Sequence, residues 1–202
     1  DSRTGLLLSR SVTVSLGATD APAAEANAAF DAGVRTVTHL FNAMRPFGHR
    51  DPGIAGAALA RPDVVVQVIL DGIHLAPETA KVVWNAAAGR VALVTDAVAG
   101  AGLSNGSYTL GDVEVKIRHG VARGPDGVLA GSTLTMIEAV RNLHALGVPL
   151  GCALDAASSV PARVIGEHSD GLVAGSPADV TVVDDNLTVE RVLVGGRERV
   201  VA

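Results

Sequence analysis

Aromatic side chains are nearly absent from this sequence, with one Trp, one Tyr and three Phe among 202 residues. Any core must therefore be built from Val, Leu, Ile and Ala, the bulk of the 48% of residues that are hydrophobic. Cysteine is scarcer still. Cys152 stands alone, which excludes a disulfide framework and a cysteine-based zinc site. Its surroundings, GCALDAA, read as one face of a helix and predict a buried structural thiol. Lysine occurs only at Lys81 and Lys116 among 16 basic residues, a bias that reads as codon usage rather than phosphate recognition. With a net charge of −5 the chain has no basic surplus for a nucleic acid or an anionic membrane, and it fits an enzyme of small substrates. No apolar run approaches the roughly 20 residues of a membrane span. The opening DSRTGLLLSR, with only three consecutive leucines, does not read as a signal peptide, so a cytosolic protein is expected.

What is abundant is β-branched and periodic. The runs VTVSL (12–16), RTVTHL (35–40), VVVQVIL (64–70) and RVALVTD (90–96) do not alternate. That is the pattern of strands buried on both faces, hence of a parallel sheet. Between them, residues 20–33 predict a helix, with Thr19 and Asp20 as caps, Pro22 in the first turn and Gly33 as the stop. Residues 76–88 predict another, ending before Gly89. Strand and helix in alternation give an α/β fold. Residues 100–130 are dense in glycine and read as a long loop with a hairpin; helices are expected near 132–146 and over 151–165. The last 35 or so residues read as short strands of a small β domain.

In a parallel α/β fold, function sits where strands end. The second run stops at His39, the third at DGIH with His74, the fourth at Asp96. A carboxylate closing a run of buried Val and Leu is expected to be desolvated and to need a cation or metal nearby. Two imidazoles and a carboxylate on successive strands suggest a metal or acid–base site. For His39 a core histidine, for His74 a loop histidine and for Asp96 a helix cap are the plainer alternatives. The first run, followed by SLGATDA, ends on Ala18. Arg50, in FGHRDPG downstream of Asn42 and Ala43, could hold an anion together with backbone N–H groups, although a surface arginine is commoner. His49, His119, His144 and His168 read as structural.

THLFNAM, HRDPGIAGA, DGIH, LVTDA, LAGSTLTMIEAVRNL and GLVAGSPADVTVVD, in this order, resemble N-acetylglucosamine-6-phosphate deacetylases of the amidohydrolase superfamily, from about residue 11 onward. The resemblance implies the C-terminal half of a metal-dependent (β/α)8 barrel over residues 1–165, with 166–202 as strands of a terminal β-sandwich. It implies His39 as a metal ligand and Asp96 as the catalytic aspartate. His74 would bind substrate beside the scissile amide, and Asn42, Ala43 and Arg50 would grip the sugar phosphate. Leu129, Ala130 and Gly131 would line the pocket. The cofactor implied is a divalent metal, zinc foremost, and the substrate N-acetylglucosamine 6-phosphate. The sequence departs from the family's pattern at Ala18, where a second histidine ligand is expected, and DSRTGLLLSR does not match the helix expected before the first strand. A half-barrel leaves two strand edges unpaired, so a homodimer or a complementary N-terminal half is expected. Against the deacetylase stands the alternative of a non-catalytic remnant that binds amino-sugar phosphates; another amidohydrolase, such as a cyclic amidase, would not need the phosphate elements.

Overall fold

A computed structural model describes residues 2–167 and 171–199, so that His168 lies outside the described residues. The first described element is a helix, α1 (Ser2–Ser9), at the place where the resemblance expects one although DSRTGLLLSR does not match it. Strand and helix then alternate: β1 (Ser15–Leu16), α2 (Ala23–Asp31), β2 (Thr36–Val37), α3 (Gly53–Ala60), β3 (Val65–Val68), α4 (Pro77–Ala87) and β4 (Val91–Leu93). The four strands pair in parallel in the order β1-β2-β3-β4. The regular strands are shorter than the apolar runs, but backbone bonds carry the pairing further. Thr38 N–H donates to the Leu16 carbonyl at 2.8 Å and Leu40 N–H to that of Gln67 at 2.8 Å.

Aliphatic packing carries the core, as the scarcity of aromatics requires. Val37, Val66, Leu93, Ile54 and Ile69 are fully or almost fully buried, and Phe30 is the one aromatic ring sealed among them. Burying each such side chain contributes roughly 1.5–3 kcal/mol. α4 lies where the sequence placed it, and α2 lies within the expected 20–33, but its N-cap is Pro22, with no side-chain cap bond, rather than Thr19 or Asp20. α3 is an addition. Its sequence GIAGAALA has no polar face, and most of it is buried, so periodicity could not reveal it. Gly56 explains the close packing there, since a Cβ would come within 2.3 Å of the Pro52 side chain.

Residues 100–130 form more than a hairpin. Four antiparallel strands, β5 (Gly106–Leu110), β6 (Val113–Arg118), β7 (Val121–Arg123) and β8 (Leu129–Ser132), build a meander. Its own small core of Val98, Val115, Ile117 and Ala122 packs against Tyr108 and Ala130. α5 (Met136–Ala145) begins with a capping box: Thr135 Oγ1 accepts from Glu138 N–H at 3.4 Å, and Glu138 Oε2 accepts from Thr135 N–H at 2.9 Å. The helix expected over 151–165 is divided at Ser158 into α6 (Leu150–Ala157) and α7 (Ser159–Val164). Cys152, on α6, is exposed rather than buried; the buried face of that helix belongs to Ala153 and Ala156. The strands β9 (Val180–Val183), β10 (Val189–Val194) and β11 (Arg197–Arg199) form a third, antiparallel sheet in the order β11-β10-β9. Leu187 joins it to the main core, and its carbonyl accepts from Arg141 Nη2 at 2.6 Å. No helix among the described residues is long and apolar enough to cross a membrane.

Arg90, just before β4, holds the ends of two helices. Its guanidinium donates to the carbonyls of Ala58 (3.1 Å), Val64 (2.7 Å), Ala86 (3.2 Å) and Leu59. These include last-turn carbonyls of α3 and α4 that have no partner within their helices. Arg90→Ala should lower stability by about 3 kcal/mol, read as a fall in the urea midpoint. A loss under about 0.5 kcal/mol would show that water replaces the guanidinium without penalty.

Candidate active site

The carboxyl ends of the four parallel strands share an uncommon backbone. Ala18 after β1, His39 after β2 and Asp96 after β4 have φ of +46°, +33° and +50°, and Gly72 after β3 has φ +75°. A left-handed conformation costs a non-glycine residue on the order of 1 kcal/mol, and such positions cluster at functional sites. Ala18 thus keeps the main-chain turn of His39 and Asp96 while presenting only a methyl group. The end of β1 runs hard against the end of β2. A Cβ at Gly17 would lie 2.3 Å from Thr38 Cγ2 and 3.5 Å from His39 Cε1.

His39 is half-buried, and its Nδ1 is the one buried side-chain nitrogen or oxygen without a hydrogen-bond partner among the described residues. Such an orphan costs roughly 1–3 kcal/mol, and an imidazole lone pair in that position suits a cation. One imidazole is not a metal site. Among the described residues no group of three or more His, Cys, Asp or Glu side chains is placed to hold a metal ion. A catalytic zinc takes three protein donors and leaves a fourth position open. The donors among the described residues do not by themselves fit such an ion.

His74 has a partner that the sequence reading passed over. Its Nδ1 lies 2.7 Å from Asp71 Oδ2, and the two side chains are only 4% and 9% exposed. Asp71 Oδ1 accepts from the N–H groups of Ile73 and His74, each at 2.9 Å, and Ser132 Oγ donates to Oδ2 at 3.2 Å. Burial pushes the Asp71 carboxyl up, but the hydrogen bonds from the His74 ring and from these N–H groups, with the charge of the ring, outweigh it and hold the pKa at about 2. The signal available in the sequence was Asp-Gly-x-His itself, in which Asp71 closes a turn over its own backbone.

Asp96 is exposed rather than desolvated, because β4 has ended and the chain has turned outward. Its carbonyl accepts from Ser132 N–H at 2.8 Å, and Val98 N–H donates to the Ser132 carbonyl at 3.0 Å. Ala97 and Ser132 form an isolated parallel bridge, so the end of β8 is tied to the segment that follows β4. Of Leu129, Ala130 and Gly131, it is Gly131 that lies against Asp96, while Ala130 packs on the core of the meander. A Cβ on Gly131, whose φ is +99°, would lie 2.8 Å from the Asp96 carbonyl oxygen and 3.6 Å from Oδ2.

Beyond His39 the chain turns repeatedly. His39, Phe41 (φ +75°) and Ala43 (φ +50°) are left-handed, and Leu40 and Asn42 between them are not. Alternation of this kind lines up backbone N–H groups into a concavity that holds anions. The Asn42 side-chain amide, however, donates inward to the carbonyls of His39 (3.3 Å) and Leu40 (3.2 Å). It braces the turn. Arg45 is likewise occupied, by Asp51 at 2.8 Å and by the Asp20 carbonyl at 3.1 Å. Arg50 is exposed and has no ion-pair partner among the described residues. His144 Nδ1 lies 2.7 Å from the Val148 carbonyl at the end of α5, a structural role as expected. A cavity of about 400 Å³, lined by Leu8, Val14, Arg35, Asp63 and Val65 among others, lies at the opposite, amino ends of the strands.

Residues 9–199 match the model of the amidohydrolase family. The chain belongs to that family. It is 39% identical over 189 residues to the N-acetylglucosamine-6-phosphate deacetylase of Vibrio furnissii, covering 92% of this chain and 47% of the relative. It is 38% identical to the N-acetylgalactosamine-6-phosphate deacetylase of Escherichia coli O157:H7, covering 95% of this chain and 52% of that protein. An N-acetyl-D-glucosamine-6-phosphate deacetylase from Mycobacterium smegmatis, solved as a mutant with N-acetyl-D-glucosamine-6-phosphate, superposes with a TM-score of 0.94 at 37% identity, over 98% of this chain and 54% of that one. The chain thus spans about half the length of the relatives it matches. The resemblance drawn from HLFNAM, DGIH and LVTDA agrees with these relatives.

The charge state of Asp71 gives a pH signature. Its pKa is depressed in the folded chain, so it adds stability above the ordinary carboxylate pKa of about 4 and loses it as pH falls toward about 2. Thermal midpoints of wild type and Asp71→Asn should differ at pH 6, and the gap should shrink below about pH 4 and close as pH falls to about 2. A constant gap across that range would show that the carboxylate's charge contributes nothing.

Proposed function

We propose that this chain is the C-terminal half of a (β/α)8 amidohydrolase acting on 2-acetamido-sugar 6-phosphates, with N-acetylglucosamine 6-phosphate as the first choice of substrate. Residues 1–165 would be the barrel half and 166–202 strands of a small β-sandwich. The order β1-β2-β3-β4 runs without reversal, which favours a barrel over a doubly wound sheet, whose order reverses at the switch point. The observation that carries the substrate class is the turn at 39–43 with the unpaired Arg50, on the chain that also carries Asp96 and the Asp71–His74 pair.

Each residue type suits its part of the reaction. Water adds to the acetamide carbonyl and the C–N bond breaks, giving acetate and the 6-phosphorylated amine. Exposed Asp96 takes the proton from the attacking water and returns it to the leaving nitrogen. His74 stabilises the charge that develops on the carbonyl oxygen. The N–H of Ala43, with Arg50, grips the phosphate and so orients the sugar, on a turn that Asn42 holds through its N–H bond to the His39 carbonyl at 2.9 Å. Gly131, preceded by Leu129 and Ala130, forms the wall beside Asp96. Zinc, the cofactor that the resemblance implies, meets one donor here, His39, so the other donors must come from outside these residues. A complementary N-terminal half would supply them and would pair the free edges of β1 and β4; a second copy of this chain would pair edges only. Ala18 favours a second reading, a chain that binds the sugar phosphate without hydrolysing it.

Calorimetric titration with N-acetylglucosamine 6-phosphate tests the phosphate grip common to both readings. Arg50→Ala should weaken binding about 10- to 100-fold, the worth of one charge-assisted contact, and should leave the weaker binding of unphosphorylated N-acetylglucosamine unchanged. Equal losses for the two sugars would show that Arg50 is structural.

A further inference from the structure

We infer that Asp71 is a positioning residue: it fixes His74 as the Nδ1–H tautomer and leaves Nε2 as the ring atom available to a ligand. The inference rests on hydrogen-bond bookkeeping at one carboxylate. Asp71 Oδ1 is occupied by two backbone N–H groups and Oδ2 by the His74 ring and the Ser132 hydroxyl. Ser132 Oγ itself accepts from Leu134 N–H at 2.9 Å, which commits its own proton to Asp71. Every partner of Asp71 is thus a donor, and an ionised carboxylate can only accept. The ring nitrogen 2.7 Å away must therefore carry a proton. Nε2 makes no hydrogen bond among the described residues, and it is not sealed, since the only buried unpartnered side-chain atom is His39 Nδ1.

Ser132 gives the pair a fixed address. It is 2% exposed, its main chain bonds to Asp96 and Val98, and it directly follows Gly131. The hydroxyl therefore ties Asp71 and His74, at the end of β3, to the segment that borders Asp96. That Nε2 meets the substrate carbonyl rests on the deacetylase reading; the tautomer does not. With Nδ1–H committed to Asp71, the ring can donate from Nε2 only as the imidazolium, and Asp71 is then its counter-ion.

The test is a long-range ¹H–¹⁵N spectrum of the imidazoles in the ¹⁵N-labelled chain at mildly alkaline pH, with His74 assigned by the signals lost in His74→Gln. The expected result is a protonated Nδ1 and an unprotonated Nε2 in wild type. In Asp71→Asn the amide oxygen stays with the two backbone N–H groups and the NH₂ turns to the ring, so the proton should move to Nε2. An Nε2–H ring in wild type would overturn the inference, whether or not the variant folds. So would an unmoved proton in an Asp71→Asn chain with wild-type circular dichroism. Adding N-acetylglucosamine 6-phosphate separates the two readings. If His74 is Nδ1–H but Nε2 does not respond to the sugar phosphate, the positioning role stands and the deacetylase reading of His74 falls.

Discussion

Parallel pairing of four consecutive strands in sequential order is the constraint on which the remainder depends. Parallel strands present all their carboxyl ends on one side, so Ala18, His39, the Asp71–His74 turn and Asp96 are brought to that side by topology alone. Burial of Val37, Val66 and Leu93 fixes the register, because a one-residue slip would turn these side chains to the opposite face. The helices need only return the chain to the amino side. The loops at the carboxyl ends are then free to adopt left-handed turns that no regular element would tolerate.

Ser132 does for the loops what strand pairing does for the scaffold. It comes from the meander after β4, far along the chain from Asp71, yet it hydrogen-bonds to both strand ends that carry carboxylates. In a partly dry environment such a network is strong when every member is satisfied and costly when one is not. Asp71 is fully satisfied, which is why it stays ionised despite its burial. Asp96 reaches the opposite result by exposure: its backbone is pinned while its carboxylate faces water. Two aspartates on neighbouring strands thus have different surroundings, one bonded to an imidazole and the other open to solvent.

Much of this was legible in the sequence. The non-alternating Val-rich runs gave the parallel strands, and Pro22, Gly33 and Gly89 bounded two helices within three residues. α3 was not legible, since GIAGAALA is apolar on all sides and carries two glycines. The meander was masked by its own exposure: β5 buries almost nothing and β6 only Val115 and Ile117, so there was little hydrophobic pattern to find. Cys152 was misread because small residues flank it on both sides, and the helix turns Ala153 and Ala156 inward instead. At the site, strand ends pointed to His39, His74 and Asp96. Asp71 was hidden in a turn signature, and Ser132, distant in sequence, could be joined to it only by the fold. Asn42 was assigned to the ligand through the resemblance, and the structure shows its side-chain amide bracing the backbone.

Among the described residues no set of three metal donors comes together. Ala18 repeats the backbone turn of a ligand-bearing position without the ligand, and His39 keeps a buried nitrogen with no partner. The turn at 39–43 and the exposed Arg50, on which the proposed phosphate grip rests, do not depend on a metal. The decisive measurement is acetate release from N-acetylglucosamine 6-phosphate by the purified chain in excess zinc. The account predicts none above the metal-free blank. Release above that blank would mean that these residues assemble a working centre without further donors, which contradicts the ligand count at Ala18 and His39.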